Sequence, residues 1–211
     1  MIKSIISYPY RGHYGDARYR GNCSGFLIKD LLNYYKPKKF LECFAGSGTG
    51  FDVARELGYK NSIHLDLNEK FGSFNLLTDK IPFGANLVFS HPPYWDIVKY
   101  SGQGNEWGNR KHKDDLSHVV DYNEFISKLN IINKKIFDSI SINGRHAILI
   151  GDVRKKGKYY SIIKDMDWYG DLESHIIKVQ HNTRSSNKRY SNNNFIPIEH
   201  EHLLIFKKTR I

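Results

Sequence analysis

The chain of 211 residues carries 32 Lys and Arg against 22 Asp and Glu, a formal net charge of +10, and 14% of its residues are aromatic. That length suits one domain with a sheet covered on both faces and leaves little room for a second, and the excess positive charge favours a polyanionic partner, whose phosphates release counterions to Lys and Arg. Two cysteines in unlike contexts, Cys23 and Cys43, exclude a disulfide framework or a cysteine zinc site, and no apolar run approaches the ~18 residues of a membrane span or forms a signal peptide, so a cytoplasmic protein is expected.

Residues 1–21 hold Tyr8, Tyr10, Arg11, Tyr14, Arg18, Tyr19 and Arg20 among glycines, with no apolar period. They read as an arm, ordered by itself or by a substrate, outside the core. From Asn22 to Tyr35 the residues Phe26, Leu27, Leu31 and Leu32 recur at helical spacing, with Ser24 as N-cap and Pro37 closing the segment. Lys39 to Phe44 reads as a strand, and Ala45-Gly46-Ser47-Gly48-Thr49-Gly50 follows it directly before a helical stretch from Phe51 to Leu57. A glycine-rich turn between strand and helix lets a ligand approach the backbone at the positive helix end. The next strand, Asn61 to Leu65, ends in Asp66, where an acid can take a ribose hydroxyl pair. Asn75, before Leu76 and Leu77, is a turn residue or a ligand contact.

Ala85 to Phe89 is a buried strand that Pro92-Pro93 must end, since neither proline donates a ladder hydrogen bond. The prolines leave carbonyl acceptors beside the flat rings of Tyr94 and Trp95, a combination that suits a planar amine. Residues 96–118 form a long loop with Lys99, Tyr100, Trp107, Arg110, Lys111, His112 and Lys113, either functional or a disordered insertion. Asp121 to Ile142 has helical periodicity with Gly144 as its stop, and Arg145 to Asp152 reads as a buried strand with His146 as a core residue and Asp152, at its end, as a secondary site candidate. A short helix from Tyr159 to Met166 and strands Ser174–Gln180 and Leu203–Lys207 complete the fold. Residues 182–195 are polar and basic, and Arg184, Lys188 and Arg189 there are phosphate contacts or part of a plain linker. His200 and His202 alternate with Glu199 and Glu201 without a third ligand, so no metal site is expected.

Ser90-His91-Pro92-Pro93-Tyr94-Trp95 resembles the (Asp/Asn/Ser)-Pro-Pro-(Tyr/Phe/Trp) motif of S-adenosylmethionine-dependent DNA amino-methyltransferases, which act on adenine N6 or cytosine N4. Phe44-Ala45-Gly46-Ser47-Gly48 resembles their Phe-x-Gly-x-Gly signature more than the dinucleotide Gly-x-Gly-x-x-Gly, whose last position is Phe51 here. Tyr100-Ser101-Gly102 and the ending His200-Glu201-His202-Leu203-Leu204 are similar to this family as well. The resemblance implies a single α/β, Rossmann-like methyltransferase domain over 1–211 with a mostly parallel, doubly wound sheet. It implies S-adenosylmethionine as cofactor, with Phe44, Gly46 and Gly48 along methionine and ribose, Asp66 on the ribose and Asn75 at the adenine. It places His91, Pro92, Pro93 and Tyr94 at the reacting amine, with Tyr94 stacked on a flipped-out base. Trp95, Tyr100, Arg184, Lys188 and Arg189 become substrate contacts, and the loops 96–118 and 182–195 face the substrate.

The implied function is methylation of a base amino group in DNA, adenine N6 ahead of cytosine N4, as in restriction-modification systems, with sequence specificity supplied by a partner or a homodimer. An RNA or protein amide methyltransferase and a binding protein without catalysis are the alternatives, because His91 stands where the family has Asp, Asn or Ser. A neutral imidazole has one acceptor nitrogen and a protonated one has none, so activity should fall as pH drops through the His91 pKa.

Overall fold

The computed structural model describes residues 2–181 and 196–209. Strands β1 (Ile5–Ser7), β2 (Phe40–Cys43), β3 (Ile63–Leu65), β4 (Ala85–Ser90), β5 (Ile140–Ile150), β8 (Asp171–Val179) and β9 (His200–Lys207) build a 7-stranded sheet in the order β1-β8-β9-β5-β4-β2-β3. Only β9 runs against its neighbours, pairing antiparallel with both β5 and β8, so the sheet is mixed but mostly parallel. Helices α1 (Gly25–Tyr35) and α2 (Thr49–Glu56) cover one face, and α3 (Tyr122–Ser139) and α4 (Ile162–Asp165) the other.

Period-two alternation sorts the strand side chains into two cores. Leu41, Val88, Ile148 and Leu204 meet Phe125, Leu129, Ile132 and Ile136 of α3. Phe40, Leu87, Phe89, Leu149 and Leu203 meet Leu27, Ile28, Leu31 and Leu32 of α1 and Val53 and Ala54 of α2. Each fully buried aliphatic or Phe side chain here contributes about 1.5–3 kcal/mol of transfer free energy. Ser24 caps α1 by accepting from the Phe26 amide, as its sequence position suggests. Among the described residues no helix is long and apolar enough to cross a membrane.

Three expectations need correction. The arm 1–21 belongs to the fold: β1 is an edge strand parallel to β8, and Ile6 and Tyr14 are buried in the second core. The helix before β5 ends at Ser139, and Gly144 lies inside β5, where an added Cβ would sit 2.4 Å from Ile140 Cγ2 and 3.1 Å from the Ala85 carbonyl. Its small size serves the crowded, irregular pairing of β5 with the start of β4, and it caps nothing. Tyr159 and Tyr160 belong to a hairpin, β6 (Val153–Lys155) and β7 (Lys158–Tyr160), whose turn residues Lys156 and Gly157 both have positive φ, at 50° and 79°. Only the four residues of α4 are helical there.

The arm is held by a close approach at Gly25, whose amide donates to the Arg11 carbonyl at 3.1 Å. A Cβ on Gly25 would lie 2.1 Å from Tyr14 Cδ2. Alanine ordinarily favours a helix over glycine by about 1 kcal/mol, so the direction of the effect is diagnostic. Gly25→Ala is expected to destabilise the protein by about 1–3 kcal/mol through overpacking, read as a lowered urea midpoint, whereas an unchanged or raised midpoint would mean the arm does not dock through Tyr14.

Candidate functional site

The glycine loop leaves β2 through Phe44, whose φ of 61° places a non-glycine residue in the left-handed region, and continues through Gly46 at 54° and Gly48 at 96°. Positive φ at these two glycines turns the loop tightly onto the N-terminus of α2, where Gly48 is the N-cap. The Gly46 amide donates to Asp66 Oδ2 at 2.8 Å and the Asn68 amide to Oδ1 at 2.8 Å. Burial pushes the Asp66 carboxyl up to about 6, against the lowering effect of those two amides. The arm packs on the same loop: the Asp16 amide donates to Ser47 Oγ at 3.1 Å, Ser47 Oγ donates to Asn22 Oδ1 at 2.9 Å, and the Gly15 amide donates to Asp52 of α2 at 2.9 Å.

Beside this loop lies a cavity of about 780 Å³, its mouth included. Phe44, Gly46, Thr49 and Asp66 line it, together with Phe74, Asn75, Leu76, Leu77 and Asp114. Asn75 shapes a turn on the cavity wall: its Oδ1 accepts from the Leu77 amide at 3.0 Å and its Nδ2 donates to Asp114 Oδ2 at 2.8 Å. Thr49 Oγ1 is buried with no hydrogen-bond partner among the described residues. Glu42, also lining the cavity, was not expected. It is 3% exposed, its Oε2 lies 2.6 Å from His64 Nδ1, and a Cβ on Gly50 would fall 2.2 Å from its Oε1. An acid interrupting the apolar strand 40–44 is the one signal of it in the sequence.

The loop 96–118 is folded around a buried carboxylate. Asp115 accepts from the Ser101 amide at 2.8 Å, from Ser101 Oγ at 2.7 Å and from the Ser117 amide at 2.9 Å. Its Tyr100, Trp107, Asp114 and Leu116 wall the cavity of the glycine loop, while its Ile97, Val98 and again Tyr100 line a second cavity at the Pro-Pro loop. Tyr100 stacks on Tyr19 of the arm, with ring centroids 5.7 Å apart, and its hydroxyl fills the space a side chain at Gly21 would need. Arm and loop thus close over the ligand space together.

A second cavity, of about 930 Å³ with its mouth, opens at the Pro-Pro loop. Pro93 lines the first cavity and Pro92 the second, while His91, Tyr100, Gly21 and Asn22 line both. His91 Nε2 lies 2.9 Å from the Tyr94 hydroxyl, and that hydroxyl donates to Glu201 Oε1 at 2.7 Å. Glu201 Oε2 in turn accepts from Lys178 Nζ. Burial pushes the His91 imidazole down to about 4, which keeps it neutral far below the ordinary histidine range. Burial pulls Glu201 upward, but Lys178, His91 and the Tyr94 hydroxyl together hold its carboxyl below the usual range. Neither Lys178 nor Glu201 was singled out from the sequence. The Tyr94 ring packs on Gly151, where a Cβ would be 2.6 Å from Cε2.

Several expected site residues lie elsewhere. Trp95 is 4% exposed, donates Nε1–H to the Val119 carbonyl at 3.0 Å and packs on Tyr122 and Tyr160 under Lys155, so it is a core residue and lines neither cavity. Asp152 also lines neither: it accepts from Tyr159 at 2.8 Å and Ser161 at 3.0 Å, pinning the hairpin to α4. His146, expected in the core, lies there, its Nε2 2.8 Å from Ser90 Oγ, and burial pushes it down to about 3. Arg184, Lys188 and Arg189 fall outside the described residues.

No family model and no curated protein matches the chain. Among solved structures it is similar to TrmN from Thermus thermophilus, at 15% identity over 90% of this chain and 50% of that one, with a TM-score of 0.51. It is similar also to the N-methyltransferase NodS from Bradyrhizobium japonicum WM9, at 9% identity over 88% and 94% of the two chains with a TM-score of 0.52. TehB from Haemophilus influenzae matches at 12% identity over 88% and 62%, with a TM-score of 0.50. The chain spans about half the length of TrmN. At these identities the likeness is one of architecture: the chain has the Rossmann-like methyltransferase fold.

Proposed function

We propose that this protein is an S-adenosylmethionine-dependent methyltransferase acting on the exocyclic amino group of a nucleic-acid base, adenine N6 in DNA ahead of cytosine N4. The observation that carries this reading is the meeting of two cavities at His91, one built on the glycine loop and Asp66, the other on Pro92 and Tyr94. The first cavity fits the cofactor. Asp66 offers acceptor oxygens to a ribose diol, the orphaned Thr49 Oγ1 sits at the helix end that suits a carboxylate, and Asn75 and Asp114 offer polar atoms beside the apolar Phe74, Leu76 and Leu77, where an adenine would lie. Bound there, S-adenosylmethionine supplies an electrophilic methyl group on a sulfonium. The chain itself aligns donor and acceptor and excludes water, the main contribution open to it in a direct displacement. Its neutral His91 and the Pro92 carbonyl accept from the amine, which frees the nitrogen lone pair from the ring, while Tyr94 borders the base. Because burial keeps His91 neutral down to about pH 4, the loss of acceptor capacity expected from its titration moves to that acidity.

A polyanionic acceptor also suits the rim. Lys155 bonds Asp96 Oδ2 at 2.6 Å and lies 3.9 Å from the Trp95 ring centroid, which fastens the hairpin β6–β7 beside the Pro-Pro loop and leaves Lys156 and Lys158 exposed at its tip.

Three measurements test the reading. Incubation with labelled S-adenosylmethionine and separate pools of duplex DNA, single-stranded DNA and RNA, followed by nucleoside mass spectrometry, is expected to yield methyladenine from DNA. Label in RNA alone would move the acceptor class, and no transfer to any pool with cofactor binding intact would overturn the proposal. Cofactor affinity should be level above about pH 7 and fall below about 6, approaching tenfold per unit, because the ribose hydroxyls need the ionised Asp66 as acceptor. Asp66→Asn should bind weakly at every pH and lack that break, and a wild-type affinity with no break between pH 7 and 5 would remove Asp66 from the role. Replacing Lys156 and Lys158 together by Ala should reduce the slope of log affinity for duplex DNA against log salt by about 1–2 while cofactor affinity stays unchanged; an unaltered slope would place the phosphates elsewhere.

A further inference from the structure

We propose that Lys178, Glu201 and Tyr94 form a tautomer lock that holds His91 with its proton on Nε2 and so presents Nδ1 as a hydrogen-bond acceptor to an amine substrate. For its consequence the inference rests on the methyltransferase reading above, but the lock itself is a property of the chain that can be observed without any transfer.

The direction of each bond follows from the one before. Lys178 and Glu201 are register partners on β8 and β9 and are only 9% and 7% exposed. Lys178 has donors alone and Glu201, paired with it, is a carboxylate that has acceptors alone. The hydroxyl of Tyr94, 2.7 Å from Glu201 Oε1, must therefore give its proton to Glu201. Its oxygen then faces His91 Nε2, 2.9 Å away, with lone pairs, and that nitrogen must be the donor. A neutral imidazole carries one N–H, so Nδ1 is left bare, and among the described residues it has no hydrogen-bond partner. His91 lines both cavities, and Pro92, which has a carbonyl and no N–H, lines the second. Two acceptors there select a substrate that brings N–H donors, an amino group, and disfavour one that brings a carbonyl or phenolate oxygen.

A buried ion pair is often replaceable by packed apolar residues without loss of stability, so stability alone does not account for Lys178 and Glu201. Without the charge on Glu201 the Tyr94 proton is free to turn toward Nε2. The imidazole proton then moves to Nδ1, and a donor stands where the substrate needs an acceptor. Lys178, Glu201 and Tyr94 act on the substrate amine through His91 and are positioning residues in this scheme.

The test is a two-bond ¹H–¹⁵N spectrum of the full chain with ¹⁵N-labelled histidine at pH 7, the His91 signals being assigned by their loss in His91→Gln. The wild type is expected to show Nε2 protonated and Nδ1 bare. Tyr94→Phe should release the preference and give a mixed or Nδ1–H population, with kcat falling about 10- to 100-fold and cofactor affinity unchanged. The paired variant Lys178→Met with Glu201→Leu removes both charges at once, leaves no unpaired ion and retains Tyr94; it should shift the tautomer in the same direction, which keeps the test decisive if Tyr94→Phe fails to fold. A wild-type His91 protonated on Nδ1, or a tautomer unmoved in both variants, would overturn the lock. A locked wild type released by the variants, in a protein that methylates no nucleic acid, would uphold the lock and reject the acceptor reading alone.

Discussion

Everything at the site depends on three neighbouring parallel strands ending on one line. Leu65 of β3, Cys43 of β2 and Ser90 of β4 are in register across the sheet. Asp66, Phe44 and His91 are each the next residue, so the acid, the glycine loop and the Pro-Pro loop leave the same edge side by side. In parallel α/β sheets the C-terminal edge is where chains diverge to opposite faces and a crevice opens. A slip of one residue in either pairing would turn these side chains to the other face of the sheet.

Closure of that crevice sets its electrostatics. The arm, through Tyr19 and Gly21, Asn22 just after it, and the loop 96–118, through Tyr100, shield the line of residues from water. Desolvation disfavours the charged form of either sign, so one cause raises the Asp66 carboxyl and lowers the His91 imidazole. At neutral pH the pair consists of an ionised acid not far above its midpoint and a histidine far from its own. The first is suited to respond to a ligand that donates to it, and the second to act as a fixed neutral acceptor. Histidine in the position where the resembling motif has Asp, Asn or Ser is thus compatible with acceptor chemistry, provided that something decides which nitrogen carries the proton. Glu201 and Lys178, brought from the far side of the sheet by the antiparallel pairing of β8 with β9, supply that decision.

What the sequence by itself determined was local: the strand–turn–helix unit around the glycine loop with Asp66 after it, the stop at Pro92-Pro93 and the helix cap at Ser24. These follow from hydrophobic period and from residues whose backbone chemistry acts within a few positions, whereas the mostly parallel sheet was implied by the resemblance to the methyltransferases. Tertiary structure decided what depends on partners distant in sequence. Tyr94 and Trp95 are adjacent aromatics with the same local credentials, yet Trp95 enters the core because Val119, Tyr122 and Lys155 converge on it, and Tyr94 meets Glu201. Among the described arm residues Ile6 and Tyr14 are buried in the core and Ile2 and Tyr8 pack against it, a spacing with no regular apolar period, and the arm's pairing with β8 spans nearly the whole chain. Lys178 and Glu201 look like solvated charges on two strands until the register sets them opposite each other beside His91. Chain-local rules cannot show such pairs, since the free energy of an ionisable group is set by its burial and by the charges that the fold brings to it.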